Sequence, residues 1–106
     1  MRLTVQQKDE IKQQIITYLT LCNEIQRIVI FGSFIKSENP HDLDIAVFQD
    51  SYESYLSLAL KYRKSMRSIA QKIPVDVIPL KSVNNKTESY LLSEIESGEI
   101  IYERRY

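Results

Sequence analysis

The sequence predicts an α+β fold, a two-layer α/β arrangement in which a small mixed β-sheet carries helices packed on one face. Three observations support this. Short runs rich in β-branched residues recur at 28–31, 42–48 and 73–79, as strands require. Longer stretches with apolar residues at helical spacing precede, separate and follow them. The resulting order, α-β-turn-β-α-β-α-β, lets each helix bury one apolar stripe against the sheet.

The first helix is expected to start after Thr4, a good capping residue, with Ile11, Ile15, Tyr18, Leu19 and Cys22 on its apolar side. Cys22 reads as a small core residue. Lys8 and Lys12 fall on the polar side and are expected in solvent. The first strand ends at Phe31, where Gly32 can adopt angles closed to other residues and let a ligand approach the main chain. Ser33 adds a hydroxyl and is placed to start a short helical turn, whose free N–H groups suit a phosphate.

Along the second strand Asp42, Asp44, Ala46 and Phe48 share one face, while Leu43, Ile45 and Val47 share the other. Carboxylates at i and i+2 lie roughly 7 Å apart at the backbone and repel unless a cation stands between them. Their oxygen ligands suit Mg²⁺ or Mn²⁺. A third acid, Asp76, sits inside a proline-bracketed β-branched run, where a charge is costly to bury without a partner. If that run neighbours the second strand, Asp42, Asp44 and Asp76 form one cluster. Three carboxylates beside a phosphate-holding turn are the working parts of metal-assisted phosphoryl transfer.

Gly32-Ser33, then Asp42-Leu43-Asp44, then Asp76 on a later strand resemble the DNA polymerase beta-like nucleotidyltransferase superfamily. At this size the chain is most similar to its minimal nucleotidyltransferase (MNT) domains, over nearly its whole length. The resemblance implies a nucleotidyltransferase fold with ATP as the nucleotide. It assigns triphosphate binding to Gly32 and Ser33 and metal binding to Asp42 and Asp44. It also gives Asp76 the activation of an attacking hydroxyl, helped by the shared metal. The loop before Asp42 lacks an Arg-Gly pair often found in the family and offers only Lys36. His41 replaces a common serine. The imidazole has either no special role or a contact to phosphate or the acids; nothing completes a zinc site around it.

The resemblance further implies a partner, since many MNT domains are antitoxins of HEPN-family toxins and some adenylylate a tyrosine of the toxin. Two alternatives accompany that reading: a binding module that neutralises a HEPN-type toxin by contact alone, or a small-molecule nucleotidyltransferase.

Residues 51–71 read as the longest helix, capped by Ser51, with Tyr55, Leu58, Ala59, Tyr62, Met66, Ile69 and Ala70 as its apolar stripe. Its second half is basic, either because cations favour a helix C-terminus or because it contacts a triphosphate or nucleic acid. Residues 81–86 form a polar turn, Thr87 is placed to cap the last helix, and Leu91, Leu92 and Ile95 are expected in the core. Gly98 suits a C-terminal cap. Residues 100–102 are expected to close the sheet, with a frayed end after them.

The 106 residues are expected to form one domain, a single minimal nucleotidyltransferase unit over 1–106. Basic and acidic residues number 14 each, which argues against a general electrostatic grip on nucleic acid. One cysteine allows no internal disulfide and fits the cytoplasm. No stretch has the roughly 20 apolar residues of a membrane span.

Overall fold

The computed structural model describes residues 2–82 and 89–104. Its elements are α1 (Val5–Leu19), β1 (Ile25–Phe31), α2 (Ser33–Lys36), β2 (Leu43–Gln49), α3 (Tyr55–Ser65), α4 (Arg67–Ala70), β3 (Val75–Lys81), α5 (Ser89–Glu96) and β4 (Glu99–Glu103). The strands form one mixed sheet in the order β3-β2-β1-β4. β1 runs antiparallel to β2 and β4, whereas β2 and β3 are parallel. The parallel pair is possible because α3 and α4 form the crossover between its strands.

Thr4 caps α1 as expected, its hydroxyl accepting from the Gln7 N–H while the Gln7 side chain accepts from the Thr4 N–H. Ile11, Ile15 and Leu19 of α1 join Ile28, Ile30, Leu43, Ile45 and Val47 of the sheet in the main core. Phe34, Leu58, Tyr62, Met66 and Ile69 complete it from α2, α3, the α3–α4 junction and α4. Each large apolar side chain fully withdrawn from water contributes about 1.5–3 kcal/mol, so this cluster dominates the fold's stability. Cys22 packs against it, half-buried, and burial pushes its thiol pKa up.

The helix expected over 51–71 differs in three ways. Ser51 instead receives the Glu53 N–H, and Ser54 provides the cap by accepting from the Ser57 N–H. At Met66 the backbone leaves helical geometry and its N–H is shared between the Tyr62 and Arg63 carbonyls, separating α3 from α4. With 11 residues α3 is shorter than α1, which has 15. Tyr55 and Ala70 also fall outside the buried stripe.

The first four helices pack on one face of the sheet, as expected, but α5 lies on the other. There Ile95 packs with Val29, Phe31 and Ala46 in a second, smaller cluster. Leu92 points outward rather than into that core. Gly98 is not a left-handed cap: a Cβ on it would collide with the Ile30 carbonyl, so the residue allows close approach of two backbones. Lys12 is not free in solvent, since it is largely buried and paired with Glu99 at 2.9 Å. The Lys8 ammonium donates to the Ser37 carbonyl. Arg27 pairs with Glu103 and Arg104 donates to the Asn23 carbonyl, so the chain is held through residue 104. The proposed cap Thr87, most of the turn 81–86 and the last two residues lie outside the described residues.

Among the described residues no helix is long and apolar enough to cross a membrane.

Candidate active site

The site begins where β1 ends. Gly32 has φ +78° and ψ −152°, a region occupied almost only by glycine. A Cβ built there would stand 2.6 Å from Oδ2 of Asp44. The main chain at Gly32 therefore lies directly against the Asp44 carboxylate, a close approach that a side chain here would block. Ser33 then opens α2, a single turn closed by bonds from Lys36 and Ser37 back to the Gly32 and Ser33 carbonyls.

The Ser33 hydroxyl is already engaged. It accepts long bonds from the N–H groups of His41 and Asp42, at 3.3 and 3.5 Å, and donates to the Asp42 carbonyl at 3.3 Å. It thus ties the loop to α2 and sets where Asp42 enters β2. His41 itself is exposed. The Leu43 N–H donates to the Pro74 carbonyl at 2.8 Å, which begins the pairing of β2 with β3 directly after Asp42.

That pairing brings the acids together. In the register of β2 against β3, Asp44 stands opposite Asp76, and on its other side it faces Phe31 of β1. Asp44 is half-buried, while Asp42 and Asp76 are exposed. Burial pushes the Asp44 carboxyl pKa up, and the negative charges of Asp42 and then Asp76 push it further. Asp42 and Asp76 therefore lie within electrostatic reach of Asp44. Asp44 and Asp76 share the sheet face that carries α5, but Asp42, expected on the same strand, lies just before β2 in the loop tied by Ser33.

Among the described residues no group of three His, Cys, Asp or Glu side chains is placed to hold a metal ion. Burial and the charges of Asp42 and Asp76 nevertheless raise the cost of ionising Asp44, a cost that a hard divalent cation held by oxygen ligands would relieve. Substrate phosphates commonly supply the remaining ligands of such ions.

Lys36 lies at the end of α2 and pairs with Glu94 of α5 at 3.4 Å. Glu94 carries no sequence signal that would mark it; its position follows from the packing of α5 across the acid-bearing face. A second set of polar contacts lies on the other layer. Glu24 accepts from Lys61 at 2.8 Å and from the Tyr62 hydroxyl at 2.9 Å. Burial alone would raise the Glu24 pKa, but these bonds outweigh it and hold the carboxyl below its ordinary value. The Tyr62 hydroxyl is pushed up by its own burial and by Glu24. This group anchors α3 to the turn before β1 and has no part in the acid site. A concavity of about 510 Å³, bordered by Arg27, Phe48, Asp50 and Arg104, lies at the far end of the strands from the three acids.

Residues 13–106 match the family model described as polymerase beta, nucleotidyltransferase. The fold is similar to that of a solved toxin–antitoxin complex, MntA–HepT, with TM-score 0.65 and 19% identity over 91% of this chain and 73% of that one. It is likewise similar to a complex of tri-AMPylated Shewanella oneidensis HEPN toxin with MNT antitoxin, with TM-score 0.68 and 20% identity over 92% of this chain and 73% of that one. A toxin–antitoxin structure with AMP-PNP gives TM-score 0.68 and 21% identity over 89% and 74%. No curated protein matches the sequence.

Proposed function

The chain belongs to the polymerase beta nucleotidyltransferase family, and from that premise we propose that it transfers AMP from ATP to a hydroxyl of a HEPN-family protein partner. The observation that carries the reading is the register that sets Asp44 against Asp76 beside Gly32, with Asp42 two residues before. Similarity in fold to MNT antitoxins solved with HEPN toxins, one of them AMPylated and one complex holding AMP-PNP, supports the choice of nucleotide and partner.

In this reading Asp42 and Asp44 hold Mg²⁺ or Mn²⁺, and Asp76 shares it. The cation supplies charge neutralisation for the triphosphate and Lewis-acid polarisation at phosphorus. Gly32 lets the triphosphate lie close to the main chain. Asp76 takes the proton of the acceptor hydroxyl as its oxygen bonds to the α-phosphorus. The bond from that phosphorus to the bridging oxygen breaks, and pyrophosphate leaves with the electron pair. Lys36 exchanges Glu94 for a phosphate oxygen when nucleotide arrives. The 106 residues act as one minimal nucleotidyltransferase domain in the cytoplasm, where a lone cysteine stays reduced.

The Lys36–Glu94 pair and the engaged Ser33 hydroxyl favour a second reading, a binding module that neutralises its partner by contact. Calorimetry with ATP separates the two. Binding that needs Mg²⁺ and is lost on chelation supports the transferase; absence of nucleotide binding at any metal concentration supports the module.

A further inference from the structure

We propose that the outward face of α3 and α4 docks an acidic amphipathic helix of a protein partner, on the layer opposite the three acids. Leu56 and Leu60 of α3 are 67% and 56% exposed, and Tyr55 beside them is 61% exposed. Their spacing of four residues puts both leucines on one stripe, one turn apart. The stripe continues through Arg63, Lys64 and Arg67, and Leu60 borders a shallow depression together with these three and Ala70.

The charge of this face identifies its occupant. From Ser54 to Val75 the chain contains no aspartate or glutamate, although it carries five lysines and arginines. Lys61 is neutralised by Glu24 and Glu53, whereas none of Arg63, Lys64 and Arg67 forms an ion pair among the described residues. In a chain of zero net charge this is a local excess that its own acids do not answer. The helix dipole accounts for Arg63 and Lys64 in the last turn of α3, but not for Arg67 beyond it or for the exposed leucines before it. Apolar residues at one end and unpaired cations at the other fit a helix with leucine-type anchors and a carboxylate-rich flank. Nucleic acid fits less well, because a phosphate backbone leaves the leucines uncovered.

The inference goes beyond the transfer reading and does not rest on it, because the face lies across the sheet from Asp44. The probe is a fluorescein-labelled synthetic helix of about 18 residues, long enough to span both helices, with leucines on one side and glutamates on the other. Anisotropy titration of the full chain without nucleotide reads its affinity. Binding should weaken at least tenfold in Leu56→Ser/Leu60→Ser and also in Arg63→Glu/Arg67→Glu. These residues are exposed, so circular dichroism should show both variants folded. The inference is overturned if the peptide does not bind, if either double variant binds it as wild type does, or if a single-stranded oligonucleotide binds the same face more tightly. It is also overturned if sedimentation shows that Leu56 and Leu60 pair two copies of this chain.

Discussion

Asp44 and Asp76 stand directly opposite each other on neighbouring parallel strands, and the Asp44 carboxylate also lies against the main chain of Gly32. Two like charges in that position make the cation-free protein less stable than it would be with one of them neutral.

Asp44→Asn should therefore raise the stability of the metal-free protein at neutral pH. The sign follows from the direction of the shift. A carboxyl whose pKa is raised in the fold contributes stability below its unfolded value, near 3.9, and loses it as pH rises through the folded value. At pH 7 in chelator, thermal melts should place the Asn variant above wild type, with the difference vanishing below about pH 4. Added Mg²⁺ should reverse the order by stabilising wild type alone.

Gly32→Ala should cost about 1–3 kcal/mol in urea denaturation, because its backbone angles suit glycine. The new Cβ also displaces the Asp44 carboxylate, so metal and nucleotide affinity should fall together. Gly98→Ala should also destabilise, because its Cβ would press on the Ile30 carbonyl and on Phe31, the strand neighbour of Asp44.

Much of this site is visible in the sequence because strand alternation has a period of two. Once Asp44 occupies a strand its face is settled, and Asp76 joins it if its strand is adjacent. Asp42 lies one residue before β2 and is positioned by the Ser33 loop contacts instead. The side of the sheet that α5 covers is not visible, since an amphipathic helix shows which of its faces is buried but not against what. Leu92 accordingly lies outward rather than in the core, and the Lys36–Glu94 pair follows from the same packing. Lys12 and Glu99 are 87 positions apart and meet only in the folded chain. The start of α3 turns on which of two serines, Ser51 or Ser54, caps it, and both satisfy the same local preference.

Glu24→Gln tests the contacts that hold α3. The Glu24 pKa is lowered in the fold, so its contribution is present above the unfolded value near 4.3 and is lost as pH falls through the folded value. The variant should be less stable than wild type at pH 7, and the two should converge in acid. Tyr62→Phe should lose about 1.5 kcal/mol at pH 7, the lower end for a hydrogen bond to a charged group, because Lys61 still pairs with Glu24.

The most direct test of the central claim is the mass of a HEPN-family partner after incubation with ATP, Mg²⁺ and this protein, wild type or Asp76→Asn. The substitution is nearly isosteric at an exposed position, so fold and ATP binding should survive. Loss of a positioned base should slow transfer by about 10²–10⁴-fold. Wild type should add one or more AMP units to the partner, and the Asn variant few or none over the same time. Equal AMP addition by both proteins would contradict the role of Asp76. A partner left unmodified by either, yet still neutralised by both, would contradict transfer itself.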